Sequence, residues 1–398
     1  MNKGNEIARG KTKVLYEHPG QPDMLVVQQM DSISAGDGAR RDEIAGKGRL
    51  AAQTTARVFR LLNLCGLPTH YLNGGEDDDD NEMLVRRANM IPLEVVTRGV
   101  AAGSFVKRNP GFQRGALLVP RIVEFFLKDD AQHDPLIAPE EIVGRNFASP
   151  QELAAMTEMA RLTFEILSHA WRKRDVLLVD LKIEFGRIAS GENKGQLVIA
   201  DVIDNDSWRI WPQGREERML DKQMYRNLQT VDDEALANVK SAYEQVADLV
   251  GAFPVMRPGT IAIFAESNDE VEQLNRVGQA LGQFGLPAIR HVASAVKTPG
   301  FVLQLAQQHD AQFARLLYVA IGPPALCQML ESSTTNPVID GNGDPAAAAT
   351  QAAKMLGLDD TVLFGRTLLV QTNARSAVLQ ADAALNMPPN IPQNSAFA

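Results

Sequence analysis

The sequence predicts two domains of different class: an α+β domain over residues 1–250 and a smaller three-layer α/β domain with a parallel sheet over residues 259–386. Strand and helix patterns do not alternate regularly before residue 250, as in α+β proteins with antiparallel sheet. The segment GAFPVMRPG, with two prolines and two glycines, marks a linker over residues 251–258. After it, short apolar strands alternate with helical patterns, the signature of a parallel sheet covered on both faces. The proline- and asparagine-rich residues 387–398 read as an extended tail.

In the first domain KTKVLYE, DMLVVQQM, EMLVRRA and PLEVVTR carry β-branched residues between Gly, Pro or Asp and read as strands. A helical pattern runs from about Asp42 to Leu64 and stops at Gly66 and Pro68. A second runs from about Pro150 to Trp171, opened by Ser149 with Glu152 three residues later, a capping box. A third spans about Val231 to Val250. The tract Glu76 to Asp80 reads as a solvated loop. In the second domain GTIAIFA, LPAIRHVAS, RLLYVAIG and NPVID are the strands, with helices between them.

Composition narrows the function. Forty Lys and Arg against forty-nine Asp and Glu give a net charge of −9, which argues against a general binder of nucleic acid or anionic membrane. A local basic pocket for a phosphorylated small molecule stays compatible with it. The N-terminus lacks the apolar core of a signal peptide, and no apolar stretch approaches the roughly 18 residues that span a bilayer. Cys65 and Cys327 stand far apart without His at ligand spacing, against a disulfide framework or zinc site. These features describe a cytoplasmic enzyme or binding protein.

The chemistry concentrates in VLLVDLKIEFG, residues 176–186. Strand periodicity puts Asp180, Lys182 and Glu184 on one face and Leu181, Ile183 and Phe185 on the other. The next strand is QLVIADVID, and a turn centred on Glu192 and Asn193 would set Glu184 opposite Asp201. Facing like charges repel. They call for a cation, either magnesium, favoured by oxygen ligands, or Lys182 or an arginine. RGKTKVLY offers Gly10, Lys11 and Lys13, either a solvated basic strand or a phosphate grip without the spacing of a Walker loop. Asp37 sits between Gly36 and Gly38. TRGVAAGSFVKRNPG offers Arg98, Ser104, Lys107 and Arg108 on a small-residue turn suited to an anion. KDDAQHDP supplies Lys128, Asp130 and His133, the last suited to a polar contact. DNDSWRIWP and DKQMYRN add Arg209, between two tryptophans, and Arg226.

Taken in this order, RGKTK, SAGDGAR, EVVTR with AAGSFVKRNPG, FFLKDDAQHDP, VDLKIEFG, ADVIDNDSWRIWP and DKQMYRN closely resemble the phosphoribosylaminoimidazole-succinocarboxamide synthase (SAICAR synthetase) family over residues from about 5 to 250. ADVIDNDSWRIWP and FVKRNPG look most like the version fused in animals to a carboxylase domain. The resemblance implies a two-lobed, ATP-grasp-like fold with ATP between the lobes. It implies a purine-biosynthesis ligase that joins L-aspartate to a 5-aminoimidazole-4-carboxylate ribonucleotide, with ATP and Mg2+ required. By position it assigns Gly10, Lys11, Lys13 and Lys128 to ATP, and Glu184 and Asp201 to the metal. Lys182 and Asp180 become catalytic, with Lys182 steadying the reacting carboxylate. Asp37, Arg98, Ser104, Asp130 and His133 would meet the substrates, while Arg209 and Arg226 would grip the ribonucleotide phosphate.

Residues 259–386 resemble, more faintly, the class I aminoimidazole ribonucleotide carboxylase domain of that fusion, through IAIFAES, FGLPAIRHVASAVKTP, LLYVAIG and NPVI. The departures are severe. Glu266 stands where the family's first loop has glycine, Val296 and Ala325 stand where histidines are expected, and a strand with its loop is missing after NPVIDGNG. Seven basic residues against eleven acidic ones from Gly259 onward are a poor inventory for a phosphorylated ligand. The expectation is a degenerate, non-catalytic domain, with homo-oligomer formation as its family role. The alternatives are a bifunctional enzyme and a nucleotide-binding regulator without turnover.

Overall fold

The computed structural model describes residues 1–35, 39–77, 79–253, 257 and 259–385. They divide into two compact units, Met1–Gly259 with Met355–Gly365, and Thr260–Lys354 with the chain from Arg366.

The first unit opens with β1 (Glu6–Arg9), β2 (Lys13–Glu17) and β3 (Met24–Gln29), then the short hairpin β4 (Ser32–Ala35) and β5 (Arg40–Glu43). Helix α1 (Lys47–Cys65) follows, then β6 (Tyr71–Asn73), β7 (Glu82–Arg86) and the long β8 (Ala88–Val100). After α2 (Gly103–Arg108) come β9 (Leu117–Leu127), α3 (Pro139–Gly144), α4 (Pro150–Arg172), β10 (Val176–Ile188), β11 (Leu197–Ala200) and β12 (Trp208–Pro212). The helices α5 (Gln223–Asn227) and α6 (Asp233–Gly251) complete it. One antiparallel sheet has the order β1-β2-β3-β7-β6. In the other, β11, β10, β8 and β9 are adjacent in that order, and β12 also pairs with β10.

Most element expectations hold, and the differences have local causes. The first helix starts at Lys47 because Asp42 lies in β5, paired with Ile33. It ends at Gly66, whose left-handed conformation lets its N–H reach the carbonyl of Asn63. Helix α4 carries the expected Ser149–Glu152 capping box. On β10, Leu181, Ile183 and Phe185 are each 1% exposed, and burying such side chains contributes about 1.5–3 kcal/mol apiece. Their alternation fixes which face of β10 turns outward with Asp180, Lys182 and Glu184.

The described part of the expected linker is packed. Phe253 meets Trp171 edge-on, ring centroids 4.8 Å apart, and the Arg257 N–H donates to Asp360 at 2.7 Å. Residues 355–365, assigned from the sequence to the second domain, join the first unit. The Phe364 ring stacks on His169 at 4.1 Å, and the Cys65 thiol contacts the carbonyl of Thr361. A crossing back between domains leaves no periodic mark in the sequence.

The second unit is the expected parallel sheet, β13 (Thr260–Ala265), β14 (Ala288–Val292), β15 (Leu316–Ile321) and β16 (Val338–Asp340), in the order β14-β13-β15-β16. Helices α7 (Val271–Gly282), α8 (Pro299–Gln312) and α9 (Pro324–Ser333) connect the strands, and α10 (Pro345–Gly357) and α11 (Thr361–Leu385) follow. The tail 387–398 lies outside the described residues. Among the described residues no helix is long and apolar enough to cross a membrane.

Gly48 shows how tightly α1 lies on the first sheet. A Cβ there would sit 2.7 Å from the Gln29 carbonyl oxygen and 3.0 Å from the Met30 carbonyl carbon. Helix propensity favours Ala over Gly by about 1 kcal/mol, whereas overpacking costs about 1–3 kcal/mol. Backbone cannot rotate out of the way, so Gly48→Ala is expected to lower stability by about 1–2 kcal/mol in urea unfolding. Gly144→Ala, with nothing within 4 Å, is the control and should be near neutral.

Candidate active site

The site forms on β10, beside the place where residues 68–70, just ahead of β6 in the first sheet, bond to Ile199 of β11 in the second. Glu184 is cross-strand to Ala200, not Asp201. The carboxylate that does face it is Glu94 of β8. The Lys182 ammonium lies between them, 3.0 Å from each. Facing acids are therefore present as argued, but with a different partner. The expected register is off by one residue. Asp201 follows the last residue of β11 with φ 68°, in the left-handed region, which ends the strand there.

Asp201 nevertheless belongs to the same site. Its carboxylate pairs with Lys13 of β2, and its carbonyl accepts a hydrogen bond from His70 Nε2 at 3.1 Å. A carbonyl only accepts, so the proton of His70 is on Nε2. Burial, then the charges of Lys13 and Arg86, hold His70 neutral, its pKa pulled down to about 3. Lys128, at the end of β9, donates to Glu184 at 2.6 Å. Three ammonium groups, on β2, on β10 and just past β9, thus pair with three acids, Asp201, Glu184 and Glu94.

Their electrostatics follow from the packing. Burial opposes ionisation of Glu184, but Lys182, Lys128 and Lys13 outweigh it and hold the carboxyl at about 2. Burial would lower Lys182, yet Glu184 and Glu94 raise it above its ordinary value. Lys13 goes the other way. Desolvation and the neighbouring ammoniums bring it down to about 8, although Glu184 pulls upward and Asp201 pairs with it.

A second network runs along the same face. Buried Asp180 accepts from Arg98 at 3.1 Å and from Arg209; Arg98 also pairs with Glu124, and Glu124 with Arg108 at 2.6 Å. Asp180 was expected to be catalytic. Here its carboxylate is taken up by two guanidiniums, so it positions the arginines. Arg98, 3% exposed, reaches the site through that same pairing.

Arg209 borders a cavity of about 290 Å³ that Ser104, Lys107 and Arg114 also line. Gly103 makes this possible. A Cβ at that position, where φ is +54°, would fall 2.4 Å from the Arg209 guanidinium. From α5 the cavity is lined by Gln223 and Asn227, while Arg226, expected to grip phosphate, is exposed on that helix. Lys11 is exposed in the turn after β1, its carbonyl accepting from Ser32 Oγ, and Gly10 closes that turn through its N–H to the Lys13 carbonyl. Asp37 lies outside the described residues, as does the side chain of Asp130. His133 is exposed, with φ 58°, in the loop after β9.

Sequence reasoning missed Glu94 and a buried cluster behind the site. Asp206 accepts from Lys222 at 2.7 Å and from the Tyr243 hydroxyl at 2.6 Å, and the Lys47 ammonium lies 5.2 Å from the centre of the Tyr243 ring. Burial pushes the Asp204 carboxyl up, whereas Lys47 and Lys222 overcome burial at Asp206 and push it down. The carbonyl of Ser207 in this loop accepts from the Lys182 N–H at 2.7 Å, so the cluster anchors the strand that carries Lys182. The spacing of acids in DNDS was the available signal.

Magnesium fits the donor set. Among the described residues no three His, Cys, Asp or Glu side chains group to hold a metal by themselves. Mg2+ commonly binds through one or two carboxylates plus substrate phosphates, and ionised Glu184 with Asp201 supplies that number.

An antiparallel two-sheet unit with a lysine-rich acidic seam and a cavity lined by Lys107, Arg114 and Arg209 presents cations suited to phosphorylated ligands. The chain belongs to the SAICAR synthetase family, whose model matches residues 6–246. A phosphoribosylaminoimidazole-succinocarboxamide synthase of Chloroflexus aurantiacus is 53% identical over 251 residues, covering 63% of this chain and 98% of that protein. A bifunctional phosphoribosylaminoimidazole carboxylase/phosphoribosylaminoimidazole succinocarboxamide synthetase of Drosophila melanogaster is 33% identical over 416 residues, covering 96% and 95%. Among solved structures, a SAICAR synthetase in complex with ADP matches with TM-score 0.53 and 33% identity, over 62% of this chain and 97% of that one.

The Glu184 network makes stability depend on acid. Its carboxyl lies at about 2 against an ordinary 4.5, so its contribution is complete above pH 4.5 and is lost as pH falls towards 2. Unfolding free energy of the wild type should fall through that window more steeply than that of Glu184→Gln, as measured by urea midpoints at stepped pH. Parallel slopes would remove Glu184 from the network's acid response.

Proposed function

We propose that this chain joins L-aspartate to 5-aminoimidazole-4-carboxylate ribonucleotide with ATP, giving the succinocarboxamide, ADP and phosphate. One observation carries the reading: Lys13 from one sheet, with Lys128 and Lys182 from the other, surrounds Glu184 and Asp201. Such a seam offers ammonium groups to phosphate oxygens and carboxylates to a divalent cation. We read the two sheets as lobes of an ATP-grasp-like fold, with ATP between them and the reaction in the cytoplasm.

The reaction needs an activated carboxylate. An oxygen of the imidazole carboxylate attacks the γ-phosphorus and ADP leaves. The aspartate amine then attacks the acyl carbon, phosphate departs and the nitrogen loses a proton. Phosphoryl transfer of this kind rests on positioning and charge neutralisation. Lys13 and Lys128 hold phosphate oxygens, with the Gly10–Lys11 turn beside them, and Lys182 orients the carboxylate under attack. Glu184 and Asp201 would hold Mg2+, which when bound neutralises charge on the transferred phosphoryl group. Arg209 and Ser104 grip the ribonucleotide phosphate in the cavity at Gly103, and Asp180 fixes the Arg209 guanidinium. Asp37, Asp130, His133 and Arg226 complete the substrate contacts.

The second unit is read as non-catalytic. Val296, at the place where the carboxylase resemblance calls for an imidazole, is 75% exposed and aliphatic. The similarity of the whole chain to the Drosophila fusion favours a second reading with two activities.

ADP release that requires both L-aspartate and the carboxylated ribonucleotide, run beside a carboxylation assay, separates these readings. The wild type should give the first activity and not the second. Glu184→Gln or Asp201→Asn should lower turnover at least about a hundredfold with the fold retained, since each removes an anionic ligand from the cation that would neutralise the transferred phosphoryl charge. Near-normal turnover in either variant would overturn the carboxylate pair.

Lys13 gives a pH signature. Its ammonium titrates at about 8, and a bound phosphate would raise that value. ATP binding should therefore take up a proton above pH 8 and weaken as pH rises. Calorimetry in buffers of different ionisation enthalpy should detect this uptake in the wild type and lose it in Lys13→Arg. Equal uptake in both proteins would place the proton elsewhere.

A further inference from the structure

In the parallel sheet of the second unit, the chain leaves β13 to one side for β14 and returns to the other side for β15. Ligands of open α/β sheets bind at such a switch point, beyond the carboxyl ends of the strands. Here that place is filled by a side chain. Glu266, the first residue after β13, turns its carboxylate towards the turn after β14, where one oxygen accepts from the Ser294 hydroxyl and the other from the Ala295 N–H at 2.8 Å.

The turn is built for an anion. Ser294, 6% exposed, accepts on Oγ from the N–H groups of Val296 at 3.2 Å and Lys297 at 2.8 Å, and this polarises the hydroxyl it donates to Glu266. Three consecutive backbone N–H groups thus converge on the carboxylate, one directly and two through Ser294, in the manner of an anion-binding nest. Thr298 Oγ1 accepts from the Ser294 N–H at 2.9 Å and holds the turn. On the other side Gly322, just past β15 with φ +129°, leaves room. A Cβ there would lie 2.6 Å from the Glu266 Cβ. Asn342 bonds both backbone groups of Gly322, at 2.7 and 2.8 Å, and fixes that wall. Among the described residues no Lys, Arg or His forms an ion pair with Glu266, and the donors to its carboxylate are neutral groups.

We propose that the Ser294–Thr298 turn and the ends of β13 and β15 form an oxyanion site whose resident ligand is the chain's own Glu266 carboxylate. The site takes a small carboxylate or phosphate-like anion in place of that group once it is removed. In the intact chain Glu266 keeps external anions out without any conformational change. The proposal is independent of the ligase reading, because Glu266 has no part in that site.

The test uses the full-length protein. Glu266→Ala should melt several degrees lower than the wild type, and formate should recover the loss saturably, whereas sodium chloride at the same ionic strength should not. Calorimetric titration with formate, and separately with inorganic phosphate, should show one additional site in Glu266→Ala. Wild type and Glu266→Gln should lack it, because a neutral amide still fills the space. ADP-forming turnover should be unchanged in all three proteins, which separates failure of this proposal from failure of the ligase reading. Should Glu266→Ala not fold alone, refolding in formate against chloride decides the same question. Equal behaviour in the two salts, or an equal formate site in the wild type, would overturn the proposal.

Discussion

A lysine ammonium held between two facing carboxylates, Lys182 between Glu184 and Glu94, is the interaction on which the first unit's site depends. Directly opposed acids destabilise an antiparallel pair, so β8 and β10 could not align in this register without a cation at that point. The apolar face of β10 settles the register anyway, because a slip of one residue would expose Leu181, Ile183 and Phe185. Packing thus forces two acids together, and Lys182, Lys128 and Lys13 compensate them. The site is born with its Glu184 carboxylate ionised and ammonium groups close by.

That arrangement suits phosphate chemistry. Ammonium groups paired with acids in the free protein can exchange those partners for phosphate oxygens, and the released acids can take a divalent cation. Along the same face, Arg108, Glu124, Arg98, Asp180 and Arg209 alternate in sign. This ladder lets Arg98 be buried without an orphan charge and delivers the Arg209 guanidinium to the cavity beside Gly103.

The second unit separates folding from ligand binding. Its apolar strands and covering helices make a sound parallel sheet, with Phe264, Tyr318 and Val319 fully buried. The switch point of that sheet is meanwhile closed by a residue of the chain itself. A fold persists on its core, whereas a function resides in a few side chains placed on it.

By itself the sequence determined the two domain classes, the outward face of β10, the helix carrying the Ser149–Glu152 cap and the presence of a lysine-rich acidic site. These follow from periods of two or 3.6 residues, from capping chemistry and from motif order, all local along the chain. Only the tertiary structure decided which acid faces Glu184. Hairpin arithmetic cannot know that Asp201 leaves the strand in a left-handed conformation, nor that Glu94, ninety residues earlier in the chain, lies across from it. The structure also decided that Asp180 serves Arg98 and Arg209, and that residues 355–365 pack with the first unit. Pairings of this kind depend on which strands become neighbours and on where unpaired charge can be neutralised. Both are properties of the assembled core, and no single segment encodes them.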